Sequence, residues 1–184
     1  MLAGNPKAGT SNNGVQRYSD VRPEIARLFK ERRVREGLDV LNKLHKQLGF
    51  DAELLNDMST AHWQLGDQDT AFELMQTLAT TLKTNPLAWS KLASMSLSFG
   101  DRDAVQKYAK RCLRNDPSDI KAISMLDRLR PFPKGAKEIV ALRKRVQSGT
   151  MSRKEHASAF NLLAKIEERS GDFDQAMAFF QRSK

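Results

Sequence analysis

The sequence predicts an all-α protein assembled from consecutive helical hairpins, and three observations carry that prediction. The first is an internal repeat: Gly66-Asp67-Gln68-Asp69-Thr70-Ala71, Gly100-Asp101-Arg102-Asp103-Ala104-Val105 and Gly171-Asp172-Phe173-Asp174-Gln175-Ala176 match one another. Gly66 and Gly100 stand 34 residues apart, and Gly100 and Gly171 stand 71 apart, twice 34 plus three. A period of this length in a helix-rich chain is the mark of a stacked helix-turn-helix array. The second observation is apolar periodicity of three and four residues on both sides of each glycine, the spacing of one helix face. The third is turn chemistry. Glycine takes the left-handed conformation that ends a helix, and the aspartate after it caps the next helix and suits its dipole.

Each element follows from that frame. Over about 20–48, Ile25, Leu28 and Phe29 and then Leu38, Val40, Leu41 and Leu44 give a two-helix layout that lacks the glycine turn. Over about 52–83, Leu54, Leu55, Met58, Ala61 and Leu65 precede Gly66, and Ala71, Leu74, Met75, Leu78 and Leu82 follow it. Over about 86–116, Trp89, Leu92, Ala93 and Leu97 precede Gly100. Val105, Tyr108, Ala109, Cys112 and Leu113 follow it, and Pro117 stops the helix. The segment at about 118–148 pairs Ile120–Leu129 with Ala136–Val146 across Pro131-Phe132-Pro133-Lys134-Gly135, a break unlike the other turns. Over about 153–183, Phe160, Leu163, Ala164 and Ile166 precede Gly171, and Ala176, Phe179 and Phe180 follow it. Residues 1–17, rich in Gly, Asn, Ser and Thr, offer no apolar period and are expected to form a disordered tail ahead of one repeat domain at 18–184.

The third hairpin resembles a tetratricopeptide repeat. Trp89, Leu92, Ala93, Gly100, Cys112 and Pro117 fall at that family's Trp, Leu, Gly/Ala, helix-end Gly, Ala and Pro positions. The second hairpin keeps Gly66 and Ala71, with Leu55 in place of the tryptophan. The fifth keeps Phe160, Leu163, Ala164, Gly171 and Ala176. The resemblance implies a tetratricopeptide-type helical-hairpin solenoid of about five hairpins wound into a right-handed superhelix, with the first and fourth hairpins degenerate. A narrower likeness joins the run from Pro133-Lys134-Gly135 to Ala178-Phe179-Phe180, which is similar to a segment of bacterial tetratricopeptide-repeat sulfotransferases. That resemblance implies a catalytic domain downstream of the repeats.

Composition limits the function. The chain has 184 residues, 40% of them apolar and 29% charged, the profile of a globular domain. No run approaches the ~20 apolar residues of a membrane span, and Met1-Leu2-Ala3-Gly4-Asn5-Pro6 has no apolar stretch behind it for a secretory signal. One cysteine, Cys112, fits a reducing compartment, and the expected location is cytoplasmic with no membrane partner. Charge is blocked: 105–148 carries twelve basic and four acidic residues, whereas 50–104 carries three basic and eight acidic. Lys134, Lys137, Arg143, Lys144 and Arg145 are the candidate anion-binding residues of the basic block, and the alternative function they suggest is a nucleic-acid-binding helical array. The cations do not recur with the 34-residue period, so only weak, non-specific nucleic-acid binding is expected.

Catalytic chemistry is sparse. No phosphate-cradling glycine loop occurs beyond Asn5-Pro6-Lys7-Ala8-Gly9-Thr10-Ser11, which resembles a phosphosulfate-binding loop without the strand and helix it needs. His45, His62 and His156 lack metal-ligand spacing, so no metal, no cofactor and no catalytic residue is expected within these residues. The sequence therefore points to a non-catalytic scaffold that binds a peptide or protein in the concave face lined by the first helix of each hairpin. The repeat register puts Asn56, Thr60, Trp63 and Gln64 there, with Ser90, Ser94 and Ser98, and Asn161, Lys165 and Arg169. Chaperone-binding relatives grip a terminal carboxylate with Lys, Asn and Arg at such places. Here Asn56 is one such group, while Thr60 and Ser90 stand where Asn residues are expected. At the C-terminal edge, Phe179 and Phe180 lie close to Lys184 with no following helix. One of the two rings is expected to face outward and to be covered by a second copy of the chain or by a downstream domain.

Overall fold

A computed structural model of the chain describes residues 17–183, and every regular element among them is a helix. In chain order these are α1 (Tyr18–Lys30), α2 (Val34–Leu48), α3 (Ala52–Gln64), α4 (Gln68–Thr81), α5 (Pro86–Ser98), α6 (Arg102–Asn115), α7 (Ile120–Leu129), α8 (Lys137–Gln147), α9 (Arg153–Arg169) and α10 (Phe173–Arg182). The tail expected over 1–17 lies outside the described residues except for Arg17, which precedes α1. So does the fragment Asn5–Ser11.

The helix starts are written in side chains. Asp101 accepts from the Ala104 N–H at 2.9 Å, Asp67 from Thr70 at 3.2 Å and Asp172 from Gln175 at 3.3 Å. Asp51 and Asp119 cap α3 and α7 in the same way, and Ser152 with Glu155 forms a reciprocal capping box at α9. The three helices without a side-chain cap, α1, α2 and α8, belong to the two hairpins whose sequence departs from the repeat.

One departure turns out to be chemical rather than geometric. Arg32, 34 residues before Gly66, has φ +62°, the left-handed region that Gly66 and Gly100 occupy at their turns. Its turn closes with the Arg33 N–H on the Leu28 carbonyl at 2.9 Å. The glycine turns close identically, Asp101 on Ser96 and Asp172 on Glu167, both at 3.0 Å. The first hairpin thus makes the repeat's turn with an arginine, at the steric cost that glycine avoids.

The chain divides into two compact units, one ending at Gly66 and the other beginning at Asp67. In the first, α1 packs on α2 and α3, and α2 on α3. Tyr18, buried, donates its hydroxyl to Asp57 at 2.5 Å, and Arg22 pairs with Glu53 at 2.7 Å and Asp57 at 3.3 Å, so polar contacts fasten α1 to α3. Gly37 lies against the Phe29 ring so closely that a β-carbon there would come within 2.6 Å of it.

In the second unit α5 packs on α4, α6 and α7, α7 on α6, α8 and α9, and α9 on α8 and α10. Ala93, Val105, Ala109, Ile123, Ile139, Leu142, Leu163 and Ile166 form one buried core through these helices. The irregular fourth hairpin is held by two buried carboxylates. Asp127 accepts from the Phe132 N–H at 2.9 Å, and Glu167 pairs with Arg143 and lies 3.9 Å from Lys134. At the C-terminal edge the expectation for the phenylalanines is corrected. Phe179 is 7% exposed and stacks on Phe160 at 5.9 Å, and Phe180 is half-buried against the core. The outward apolar residues of α10 are instead Phe173, 68% exposed, and Met177, 59% exposed. Ala176 and Phe179 take the inward face of this helix, which leaves Phe173 and Met177 on the other side.

Candidate binding groove

The second unit sets α5, α7 and α9, the first helices of three successive hairpins, side by side. Between them runs a groove of about 540 Å³. From α5 it takes Ser94 and Leu97. From α7 it takes Lys121, Ser124, Met125 and Arg128, whose three- and four-residue spacing keeps them on one helix face. Ser158, Asn161, Leu162, Lys165 and Arg169 of α9 close the other wall by the same spacing.

Four of the residues expected on the concave face therefore meet: Ser94, Asn161, Lys165 and Arg169 all line this groove. Ser90 is buried and donates its hydroxyl to Asp119 at 3.4 Å, in a neighbouring cleft of about 410 Å³. Ser98 is exposed beyond the groove lining and donates to the Ser94 carbonyl at 3.4 Å. The other four, Asn56, Thr60, Trp63 and Gln64, belong to the first unit. There Asn56 donates to Asp57 at 2.9 Å, Thr60 donates to the Asn56 carbonyl at 2.9 Å, Trp63 is half-buried and Gln64 exposed.

Lys121, Ser124 and Arg128 were not among the expected residues. Their signal was present in the spacing of α7, but the proline-rich break after Leu129 obscured the register of the fourth hairpin.

The electrostatics of the groove are one-sided. Lys121, Arg128 and Lys165 are exposed and make no ion pair among the described residues. Arg169 is fixed by Asp127, Nη1 to Oδ2 and Nη2 to Oδ1, both at 2.7 Å, and this hydrogen bonding holds its guanidinium pKa above the ordinary value. Asp127 is the one carboxylate in the lining. Ser94 and Ser158 turn their hydroxyls back to helix carbonyls, and no histidine lines the groove.

The anion-binding candidates of the basic block mostly face carboxylates of their own chain. Arg143 pairs with Glu167, Arg145 with Asp116 at 3.3 Å and Glu155 at 3.1 Å, and Lys134 lies 3.5 Å from Asp172. Lys137 and Lys144 are exposed without an ion pair among the described residues. Three of the five thus hold the unit's own carboxylates. No group of three or more His, Cys, Asp or Glu among the described residues could hold a metal ion. No described helix is long and apolar enough to cross a membrane.

Residues 157–184 match the sequence model of the tetratricopeptide-repeat family. No curated protein matches the chain. Among solved structures it is similar to MamA, with a TM-score of 0.57 at 16% identity over 86% of this chain and 91% of that one. It is also similar to MamA from residue 41 to its end, from Desulfovibrio magneticus RS-1, with a TM-score of 0.55 at 18% identity over 90% and 92%. TTC0263, a thermophilic TPR protein of Thermus thermophilus, gives 0.55 at 14% identity over 90% and 89%. At these identities the likeness is one of fold. The chain has the all-α fold of the tetratricopeptide-type helical-hairpin solenoids.

Proposed function

We propose that this chain is a non-catalytic interaction scaffold that binds a peptide or protein segment in the groove lined by α5, α7 and α9. The observation that carries the reading is the convergence of Ser94, Ser124, Asn161 and Lys165 with Leu97, Met125 and Leu162 in one groove of about 540 Å³. Polar groups fix a segment's register there, and apolar patches between them receive its side chains. Panning a displayed library of twelve-residue peptides against the full chain tests the reading. Selected peptides should lose binding to a Ser124→Trp variant, which fills the groove, and keep it with Ser148→Trp, on the exposed loop after α8. Equal binding to both variants would remove the groove from the account.

Two finer roles belong to the same proposal. The similarity of the 133–180 run to the repeat segment of bacterial sulfotransferases supports a scaffold that serves beside such a catalytic domain in the cytoplasm. A contiguous coding sequence for that domain is the test. The exposed Phe173 and Met177 support association through the C-terminal edge with a second copy of the chain. Sedimentation of a Phe173→Lys/Met177→Lys variant against the parent chain tests that role. The nucleic-acid reading has no comparable support, because Arg143, Arg145 and Lys134 face carboxylates of their own chain.

A further inference from the structure

Resting on the groove reading, we infer that the groove selects an internal acidic segment, with carboxylates about three residues apart and apolar residues between them, rather than a chain terminus. The charge argument comes first. Lys121, Arg128 and Lys165 are exposed cations without an ion pair among the described residues, and all three line the groove. The only carboxylate in the lining, Asp127, is already neutralised by Arg169. A groove of one sign draws in the opposite charge and disfavours its own.

Spacing sets the pattern. Lys121 and Arg128 are seven residues apart on α7, about 10.5 Å along the helix axis. A segment in the polyproline II conformation advances ~3.1 Å per residue with about three residues per turn, so carboxylates three residues apart stand on one face about 9.3 Å apart, close to the spacing of the two cations. Lys165 stands on the opposite wall, on α9. Beside the cations the groove lining holds the exposed Leu97 and half-buried Ile120, with the buried Met125 and Leu162 at its floor, which suit aliphatic side chains interleaved with the acids.

Two observations separate this ligand from its rivals. A terminal carboxylate is gripped best by a free guanidinium fork. Both terminal nitrogens of Arg169 are taken by Asp127, so Arg128 alone among the groove's cations offers a guanidinium without an ion pair among the described residues, and Lys121 and Lys165 are separate single-point cations that suit carboxylates spread along a segment. A single-stranded nucleic acid stacks its bases on aromatic rings. No Phe, Tyr, Trp or His lines this groove.

Fluorescence anisotropy on the full chain provides the test. The probe is an N-acetylated, C-amidated Glu-Leu-Ala-Glu-Val-Ala-Glu peptide. Its comparators are the Gln-for-Glu analogue, a Gln-for-Glu analogue with a free C-terminus, and a fifteen-residue oligothymidylate. The acidic peptide should bind about tenfold tighter than the Gln analogue at low salt, as three exposed charge pairs allow. Lys121→Gln/Arg128→Gln/Lys165→Gln should abolish that advantage, and Lys137→Gln/Lys144→Gln, outside the groove, should change it less than about twofold. Equal loss in the two variants would mean general attraction to a basic protein and overturn the inference. Equal affinity for the acidic and Gln peptides, both lost with Ser124→Trp, would overturn it while leaving the groove reading intact. Failure of every peptide to bind would remove both. Tighter binding of the free-terminus peptide would make the groove a terminal-carboxylate site, and tighter binding of oligothymidylate would make it a nucleic-acid site; either sinks the proposal.

Discussion

Arg169 donates both terminal guanidinium nitrogens to Asp127, at 2.7 Å each, across 42 residues of sequence. The same carboxylate accepts from the Phe132 N–H, so it joins the end of α9 to the loop after α7. Asp127 is buried, whereas Arg169 remains partly in water. The two halves of this pair should therefore be unequal under substitution. Arg169→Met strands a buried carboxylate and should cost about 2 kcal/mol, a buried-pair value reduced for the arginine's exposure. Asp127→Asn keeps an acceptor for Phe132 and lets Arg169 turn to water, so about 1 kcal/mol is expected. Urea unfolding of the two variants checks the order, and a reversed order would mean Asp127 is not held as a charge.

Arg32 supplies a gain instead of a loss. A side chain at φ +62° costs ~1–2 kcal/mol relative to the right-handed region, and glycine avoids that cost while adding entropy to the unfolded chain. Arg32→Gly should stabilise the first unit by about 0.5–1 kcal/mol. The reverse change, Gly100→Arg, should destabilise the second unit by about 1–2 kcal/mol. Thermal unfolding of both variants measures the pair, and a loss of stability in Arg32→Gly would contradict the turn geometry.

Cys112 reports on the core and on alkaline pH. Burial, then the carboxylates of Asp119 and Asp116, push its thiol up to about 12. The unfolded thiol ionises nearer ~8.5. The neutral thiol's contribution is thus fully present below that range and is lost as pH rises through it, by at most about 1.4 kcal/mol per pH unit. Burial and Asp57 also raise the Tyr18 phenol, which adds the same alkaline trend in the first unit. Between pH 7 and pH 10 a Cys112→Ala variant should lose less stability than the parent, by about 2 kcal/mol. A thiol-exchange reagent should label Cys112 only under unfolding conditions.

Much of this fold was legible because its signals are local. Gly100 and Asp101 act within one turn, and Leu92, Ala93 and Ala109 sit on faces fixed by helical period. The first hairpin's turn was harder to read, because Arg32 carries no left-handed preference; only its distance of 34 residues from Gly66 marks it. The groove was half legible. Ser94, Asn161, Lys165 and Arg169 follow from the repeat register, whereas Lys121 and Arg128 lie in the one hairpin whose loop breaks it. The basic block misled for a different reason. Charge in sequence does not say which cations face carboxylates: Glu167 lies 24 residues from Arg143, and Asp116 and Glu155 lie 29 and 10 residues from Arg145.

The last helix offers the sharpest contrast between two phenylalanines on one element. Phe179 is 7% exposed, stacks on Phe160 at 5.9 Å and lies beneath the Arg143 guanidinium at 5.6 Å. Truncating it removes core packing, the aromatic pair and the cation contact together, so Phe179→Ala should cost about 3 kcal/mol or more. Phe173, six residues earlier, is 68% exposed and outside the core, so Phe173→Lys should change the stability of a single copy by no more than about 0.5 kcal/mol. Urea midpoints of the two variants decide the matter. Similar losses would mean that Phe173 is covered in solution, and sedimentation would then show whether a second copy covers it. A neutral Phe179→Ala would mean that α10 does not pack on α9 as described.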